Sequence, residues 1–425
     1  MVRFRDVLKN RNFLFLWLGQ TASNFGESLN QMALIALVYK KAPGSTVALA
    51  KLLFFIVIPV FVIGPIAGVY VDRWDRKRVM VTSDILRGIL VLSIPFFILF
   101  VKNFIFVYLT VFLIFTITRF FFLSRMAIIP DIVPKNMLLM ANTLSDMTRL
   151  VATFIGIGVA GIMVERIGAI NGFYINSLTY FLSALFISNM VAKKIISQFR
   201  EDILKAKDAI KDIIRKSVWS EIRDGIKFIV EHKKMRFVMN SFFFLMAGIG
   251  TASCVIIVFI QEAFGSVTKD FSILFMFLGL GAFVGAMSYG SFGQRLRKET
   301  VILICMLSSG IFIALFAVIA KLTALLWASS AIMFILGISV GPIGASLNTM
   351  VHEFIPQETR GRIISSLEVV INLGFLVFMF MAAFLAEHHV EKVWILIFCG
   401  ALFFLWSILG YFGEKKRLVT GKALF

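Results

Sequence analysis

Twelve apolar runs, each near the length a helix needs to cross a bilayer, dominate this sequence. They cover about 13–39, 46–70, 79–101, 104–129, 138–163, 169–191, 236–261, 271–292, 300–320, 324–350, 363–386 and 393–413. A helical span needs about 20 such residues. Inside hydrocarbon the backbone must satisfy its own polar groups, so runs of this length predict helices. The predicted fold class is an all-α membrane protein with twelve transmembrane helices. Composition agrees: of 425 residues, 59% are hydrophobic and 16% charged, against roughly 45–50% apolar and about 25% charged in soluble domains. The formal net charge of +19 does not call for nucleic acid, because the bases cluster between apolar runs. With the N-terminus inside, most Lys and Arg fall on the cytoplasmic side and twelve crossings return the C-terminus there. Met1–Arg11 is basic and leads straight into a full-length span with no small-residue cleavage site, so it reads as a cytoplasmic tail. Cys254, Cys305 and Cys399 lie inside apolar runs and suggest no disulfide framework.

The longest polar interval divides the runs six and six. Residues 1–192 are expected to form an N-terminal six-helix bundle and 235–425 a C-terminal one. Residues 193–234 between them carry Ile203, Ile210, Ile213 and Ile214 at helical spacing among charges. That pattern predicts an amphipathic cytoplasmic linker on anionic lipid, or a solvated one. The halves repeat with an offset near 221–222 residues: Asp131 aligns with Glu353, Pro134 with Pro356, Gly64 with Gly285, Arg76-Lys77 with Arg297-Lys298, and Asp146 with Glu368. Parallel repeats of six spans imply two bundles related by a pseudo-twofold axis along the membrane normal, with a site between them.

The most specific stretch runs from Gly64 to Arg78. Gly64 and Gly68 strip bulk from one helix face. Asp72 and Asp75 then stand among Arg73, Arg76, Lys77 and Arg78. This stretch resembles the loop 2–3 signature of the major facilitator superfamily, with Asp75 where that family often has Gly. Three further stretches are similar to the drug:proton antiporter branch that holds macrolide-efflux proteins and siderophore exporters. They are Phe13 to Glu27, Ser83-Asp84-Ile-Leu-Arg87, and Phe122 through Arg125 and Asp131 to Pro134, although Ser124 replaces a usual Pro. Pro356-Gln-Glu-Thr-Arg360-Gly361-Arg362 matches the branch's loop 10–11. The resemblance covers nearly the whole chain. It implies the twelve-helix fold, export, and a cytoplasmic gate in which Asp72 sits beside Gly361–Ile363. Gly64, Gly68, Arg73, Arg76, Arg125, Asp131, Arg360 and Arg362 would belong to that gate. A monomer is the default for this family.

Ionisable groups inside spans are costly and are usually functional or paired. Gln20, Asn24, Glu27 and Gln31 share one face of the first span. Glu27 lies about 14 residues into it, roughly 21 Å at the helical rise. It is the expected coupling acid, with a static pair to Arg149 or Arg119 as the alternative. Asp146 and Glu368 are the other proton-coupling candidates. Arg119, beside Thr116, either binds substrate or closes a bridge with Asp146 or Glu27, and the bridge is favoured. Arg149 shares the face of Asp146. Gln20, Asn24, Gln31, Thr116, Arg119, Arg149, Asn240, Phe244, Asn348 and Asn372 are the expected cavity lining. Gly337, Gly341, Pro342 and Gly344 suggest either a hinge or close packing.

The sequence has no phosphate loop for ATP, no Cys/His spacing for zinc, and no nucleophile–base motif. No cofactor is expected beyond a proton gradient, and no enzyme activity. The reading is a proton-coupled inner-membrane exporter of amphiphilic or hydrophobic small molecules, working by alternating access. A lysophospholipid or siderophore transporter is the alternative, and a non-transporting sensor or scaffold is the reading of another class. Membrane lipid and an amphiphilic small molecule are the expected partners; nucleic acid is not.

Overall fold

The computed structural model of the chain describes residues 4–71, 74–101, 103–191, 227, 231–293, 296–355, 360–388 and 390–419. Among them the regular structure is helical, without a strand. A short α1 (Phe4–Leu8) precedes α2 (Arg11–Lys41), α3 (Thr46–Val71), α4 (Arg76–Phe96), α5 (Phe104–Ile132), α6 (Leu138–Ile167) and α7 (Ala169–Ser188). The second half holds α8 (Lys233–Phe264), α9 (Lys269–Phe292), α10 (Lys298–Thr323), α11 (Leu326–Phe354), α12 (Arg360–His388) and α13 (Lys392–Val419). Ten helices among the described residues are long and apolar enough to cross a membrane, against the twelve expected runs. α2 and α3 are not among the ten. α2 has 31 residues, ample length; its polar stripe lowers its apolarity. In α3 only Thr46–Val60 enters the comparison, as a shorter apolar helix.

Side-chain caps open α2, α4 and α5. The Asn10 carboxamide oxygen accepts from the Asn12 and Phe13 amides at 3.0 and 3.2 Å, and Asn103 accepts from Ile105 at 3.0 Å at the start of α5. Asp75, where a Gly is usual, is the N-cap of α4 and accepts from the Arg78 amide at 3.0 Å. Between α6 and α7 the chain turns on Gly168, whose φ of +83° suits a residue without Cβ.

The chain divides into two compact units, Met1–Lys41 with Lys51–Lys216, and Ala42–Ala50 with Ser217–Phe425. The first turn of α3 thus groups with the second unit. There the Glu387 carboxylate of α12 accepts from the Val47 amide at 2.8 Å and the Ser45 hydroxyl at 2.9 Å. Thr46 donates to the Ala383 carbonyl at 2.6 Å. Most of the expected linker 193–234 lies outside the described residues.

Within the first unit α2 packs on α6 and α7, and α4 on α5 and α7. Within the second unit α8 packs on α12 and α13, and α10 on α11 and α13. Each of these four pairings in the first unit recurs between the repeat-related helices of the second. Small residues make the closest approaches. A Cβ on Gly281 would stand 2.0 Å from the Phe334 carbonyl oxygen, and one on Gly337 would stand 2.1 Å from that of Leu278. α9 and α11 therefore touch backbone to backbone. Gly341 meets the Ala282 oxygen in the same way at 2.2 Å, whereas Gly344 has nothing within 4 Å. Gly337 and Gly341 are packing positions.

Candidate functional site

Inside the first unit, α2, α4, α5 and α6 line a half-open cavity of about 300 Å³. α2 supplies Ser23, Asn24, Glu27, Ser28 and Gln31 to its wall. Asn24, Glu27 and Gln31 of the predicted polar stripe are among them. The register against α6 is set by hydrogen bonds from α2. Trp17 Nε1 donates to Thr148 Oγ1 at 2.8 Å, Gln20 Nε2 to the Ser145 carbonyl at 3.4 Å, and Ser28 Oγ to the Ala152 carbonyl at 3.2 Å. Gly26 clears the other side, for a Cβ there would fall 1.8 Å from Thr179 Oγ1 of α7.

Opposite Glu27 stand four arginines: Arg87 of α4, Arg119 and Arg125 of α5, and Arg149 of α6. Their surroundings differ. Arg87 is wholly buried and bonded to the equally buried Asp84. Its guanidinium lies 4.3 Å from the Phe121 ring centre and 4.4 Å from that of Tyr180, so two aromatic faces replace its hydration. Arg149 lies 3.7 Å from Asp146 and 5.9 Å from the Phe122 ring centre. Arg125 is buried and lies 4.9 Å from that same ring. Arg119 is half-buried. The Nε atoms of Arg119 and Arg125 are buried without a hydrogen-bond partner, as is Nδ2 of Asn24. No ion pair within 4 Å joins Glu27, Arg119 or Arg125 to any described residue. Glu27 acts on Arg87, Arg119 and Arg125 electrostatically across the cavity.

Several expectations change. Arg119 does not close the favoured bridge with Asp146 or Glu27; Asp146, one turn from Arg149 on the same helix, takes Arg149 instead. Nor does Glu27 form a contact pair with Arg149. Arg125 leaves the expected gate network for the cavity wall, and Asp131 pairs with Arg76 at 2.6 Å. Arg76 also donates to the Ala127 carbonyl at 2.9 Å. Gln20 and Thr116 are absent from the wall: Gln20 bonds α6, and the Thr116 hydroxyl is buried without a partner.

Asp146 is exposed and does not line the cavity. Neither do the candidates of the second unit. Glu368 and Asn348 are exposed. Asn372 donates to the Glu368 carbonyl at 2.6 Å. Asn240 is half-buried, and Phe244 stacks on Trp406 with centres 4.9 Å apart. Of the gate residues, Asp72 and Arg73 lie outside the described residues. The side chains of Gly64, Gly68, Arg360, Gly361 and Arg362 are likewise not described, although all five are helical. The sequence reading missed Arg87, Phe115, Thr118, Phe122 and Thr153 as wall residues. Two of them carried a signal: Arg87 is one turn after Asp84, and Thr153 one turn after Arg149.

Residues 6–418 match the family described as transmembrane secretion effector. The chain is 25% identical to the uncharacterized transporter YkuC of Bacillus subtilis (strain 168), which is of the major facilitator type, over 84% of this chain and 81% of that one. It is 26% identical to the putative bacilysin exporter BacE of the same organism, over 85% and 86%. Against macrolide efflux protein A of Streptococcus pyogenes identity is 39%, over 17% of this chain and 18% of that protein. Among solved structures, a peptide transporter POT in complex with sulfate superposes with a TM-score of 0.69 at 12% identity, covering 98% of this chain and 99% of that one. That likeness shows the fold: two repeats of six helices in the major facilitator arrangement.

Proposed function

We propose that this chain, which belongs to the transmembrane secretion effector family of the major facilitator superfamily, is a proton-coupled exporter. It carries amphiphilic or hydrophobic small molecules out across the cytoplasmic membrane by alternating access, with both termini inside. Family membership, the efflux proteins among its relatives and its apolar helices support transport across a membrane. One observation bears on the coupling: Glu27, midway along α2, faces a cavity and four arginines without a contact ion pair among the described residues. A carboxylate held in this way is available to exchange a proton, and intramembrane ionisable groups of this kind mark proton and substrate paths. The proton gradient is the energy source and needs no bound cofactor. The protein works as a monomer with membrane lipid around it.

A lysophospholipid or siderophore transporter is the second reading. It is favoured by Arg119, which forms no ion pair within 4 Å among the described residues. The test of export is efflux of two fluorescent amphiphiles, one cationic and one zwitterionic, from cells expressing the chain, with and without a protonophore, for the natural protein and Glu27→Gln. Efflux that collapses with the protonophore and is lost in a normally expressed Glu27→Gln supports the reading. Equal efflux from both proteins removes Glu27 from the mechanism. No efflux of any amphiphile under a gradient removes the exporter.

A further inference from the structure

The charges around the cavity separate into ion-paired and unpaired groups. Arg87 is paired with Asp84, although its Nε also lacks a hydrogen-bond partner, and Arg149 has Asp146 at 3.7 Å. Three charges remain: Glu27 on α2, and Arg119 and Arg125 on α5. They face one cavity, and no two of them come within 4 Å in an ion pair. Unpaired charge inside a membrane protein is costly and marks the position of a ligand or an ion path. Here opposite charges are held apart on facing walls rather than collapsed onto each other. The guanidinium Nε atoms of Arg119 and Arg125 and the amide Nδ2 of Asn24 are buried donors with no acceptor.

We propose that this cavity takes the head of a zwitterionic amphiphile, its cationic end on Glu27 and its carboxylate or phosphate on Arg119 and Arg125. This deepens the exporter reading and rests on it. A purely cationic ligand would bring its charge against two uncompensated arginines. A purely anionic one would be repelled by Glu27. A dipolar ligand spanning the gap gives each wall a charge of opposite sign, and guanidinium groups suit carboxylate and phosphate oxygens. The cavity volume, about 300 Å³, lies at the lower end of small-molecule sites. It therefore holds a head group, with Phe115 and Phe122 in its wall to meet the apolar body. Because the ligand's cationic end needs the charge on Glu27, a neutral Glu27 and a bound ligand disfavour each other, the relation an antiporter requires.

The test is equilibrium binding to the purified full chain in detergent, with no gradient. The probes are phenylalanyl-phenylalanine, its C-terminal amide and its N-acetyl derivative, which carry both charges, the cation alone and the anion alone. The zwitterion is expected to bind about tenfold tighter than either capped form, as one lost charge-assisted contact implies. Lysophosphatidylethanolamine against lysophosphatidic acid repeats the comparison for a lipid head. Preference for the zwitterion only in the lipid pair assigns the source to lipid, and preference in the peptide pair to a soluble molecule. Glu27→Gln should erase the disadvantage of the N-acetyl probe, and Arg119→Gln that of the amide. The natural chain alone decides the matter if a variant does not fold. Capped and zwitterionic forms binding equally in both the peptide and the lipid comparison, or no binding by either zwitterion, overturns the proposal. A chain that pumps either amphiphile but shows no zwitterion preference loses only this inference. One that prefers the zwitterion but moves nothing loses the exporter instead.

Discussion

Arg76 at the start of α4 donates to Asp131 near the end of α5, and the same relationship recurs between Lys298 and Glu353 at the matching ends of α10 and α11. Each pair is 55 residues apart in sequence, so the offset that aligns Asp131 with Glu353 also sets Arg76 on Lys298, one residue from its Arg297 match in the sequence repeat. Arg76 and Asp131 are only 21% and 31% exposed, so this pair is less screened than a surface bridge. Its coupling energy should be about 1 kcal/mol, the upper end for exposed pairs. A double-mutant cycle of Arg76→Ala and Asp131→Ala on detergent unfolding measures it. Strict additivity would show that the contact contributes nothing.

The Asp84–Arg87 pair should behave in the opposite way to a surface bridge. Both partners are buried, so removing one leaves the other as an uncompensated charge, at a cost of roughly 3–5 kcal/mol. Asp84→Asn and Arg87→Met are each expected to lower the folded yield sharply. The double variant is expected to recover part of the loss, because it leaves no lone charge. Fluorescence-detected gel filtration of all three shows whether it does; a double variant worse than both singles would contradict the argument.

Gly281 and Gly337 admit no side chain. Alanine at either position must push α9 and α11 apart, costing about 3 kcal/mol, the upper part of the range for overpacking. Gly344→Ala is the control, since its Cβ would meet nothing within 4 Å. It should change the melting temperature little, within about 0.5 kcal/mol. Equal effects at all three positions would refute the close contact.

Glu387 satisfies the opening amide of α3 and hydroxyls beside it. Glu387→Ala should cost about 1 kcal/mol, the usual loss for a removed helix cap carrying negative charge near the N-terminus. Glu387→Gln, which still accepts hydrogen bonds, should cost less. Hydrogen exchange at the first turn of α3 distinguishes the two, and unchanged exchange in the alanine variant would dismiss the cap.

What was legible in the sequence was what periodicity encodes. The spacing of Gln20, Asn24, Glu27 and Gln31 forces one face, and that face could only turn toward protein. The repeat placed Asp131 and Glu353 in matching positions before any contact was known. Partner choice was not legible. Arg119 and Arg149 lie on different helices, and Asp146 was in principle open to both. The i, i+3 geometry of one helix decided for Arg149. Arg125 was read by its neighbours in a motif, yet helical phase carries its side chain inward past Phe122. Asp84 and Arg87 were visible as part of a family pattern, but nothing in their spacing says that two aromatic rings enclose the guanidinium. Glu387 carried no signal, because its partners lie more than three hundred residues away.

The stripe on α2 also bears on how the chain is made. α2 is made well before α6 and α7, the helices it packs on. Its hydrogen bonds to α6 span 124 to 131 residues. At roughly 5–20 residues per second of synthesis, the first span waits on the order of ten seconds for them. During that interval Asn24, Glu27 and Gln31 lack α6, one wall of the cavity they line. The insertion machinery, or water at the bilayer surface, must shelter α2 until α7 is complete. The first six helices then assemble as a single late event instead of one span at a time.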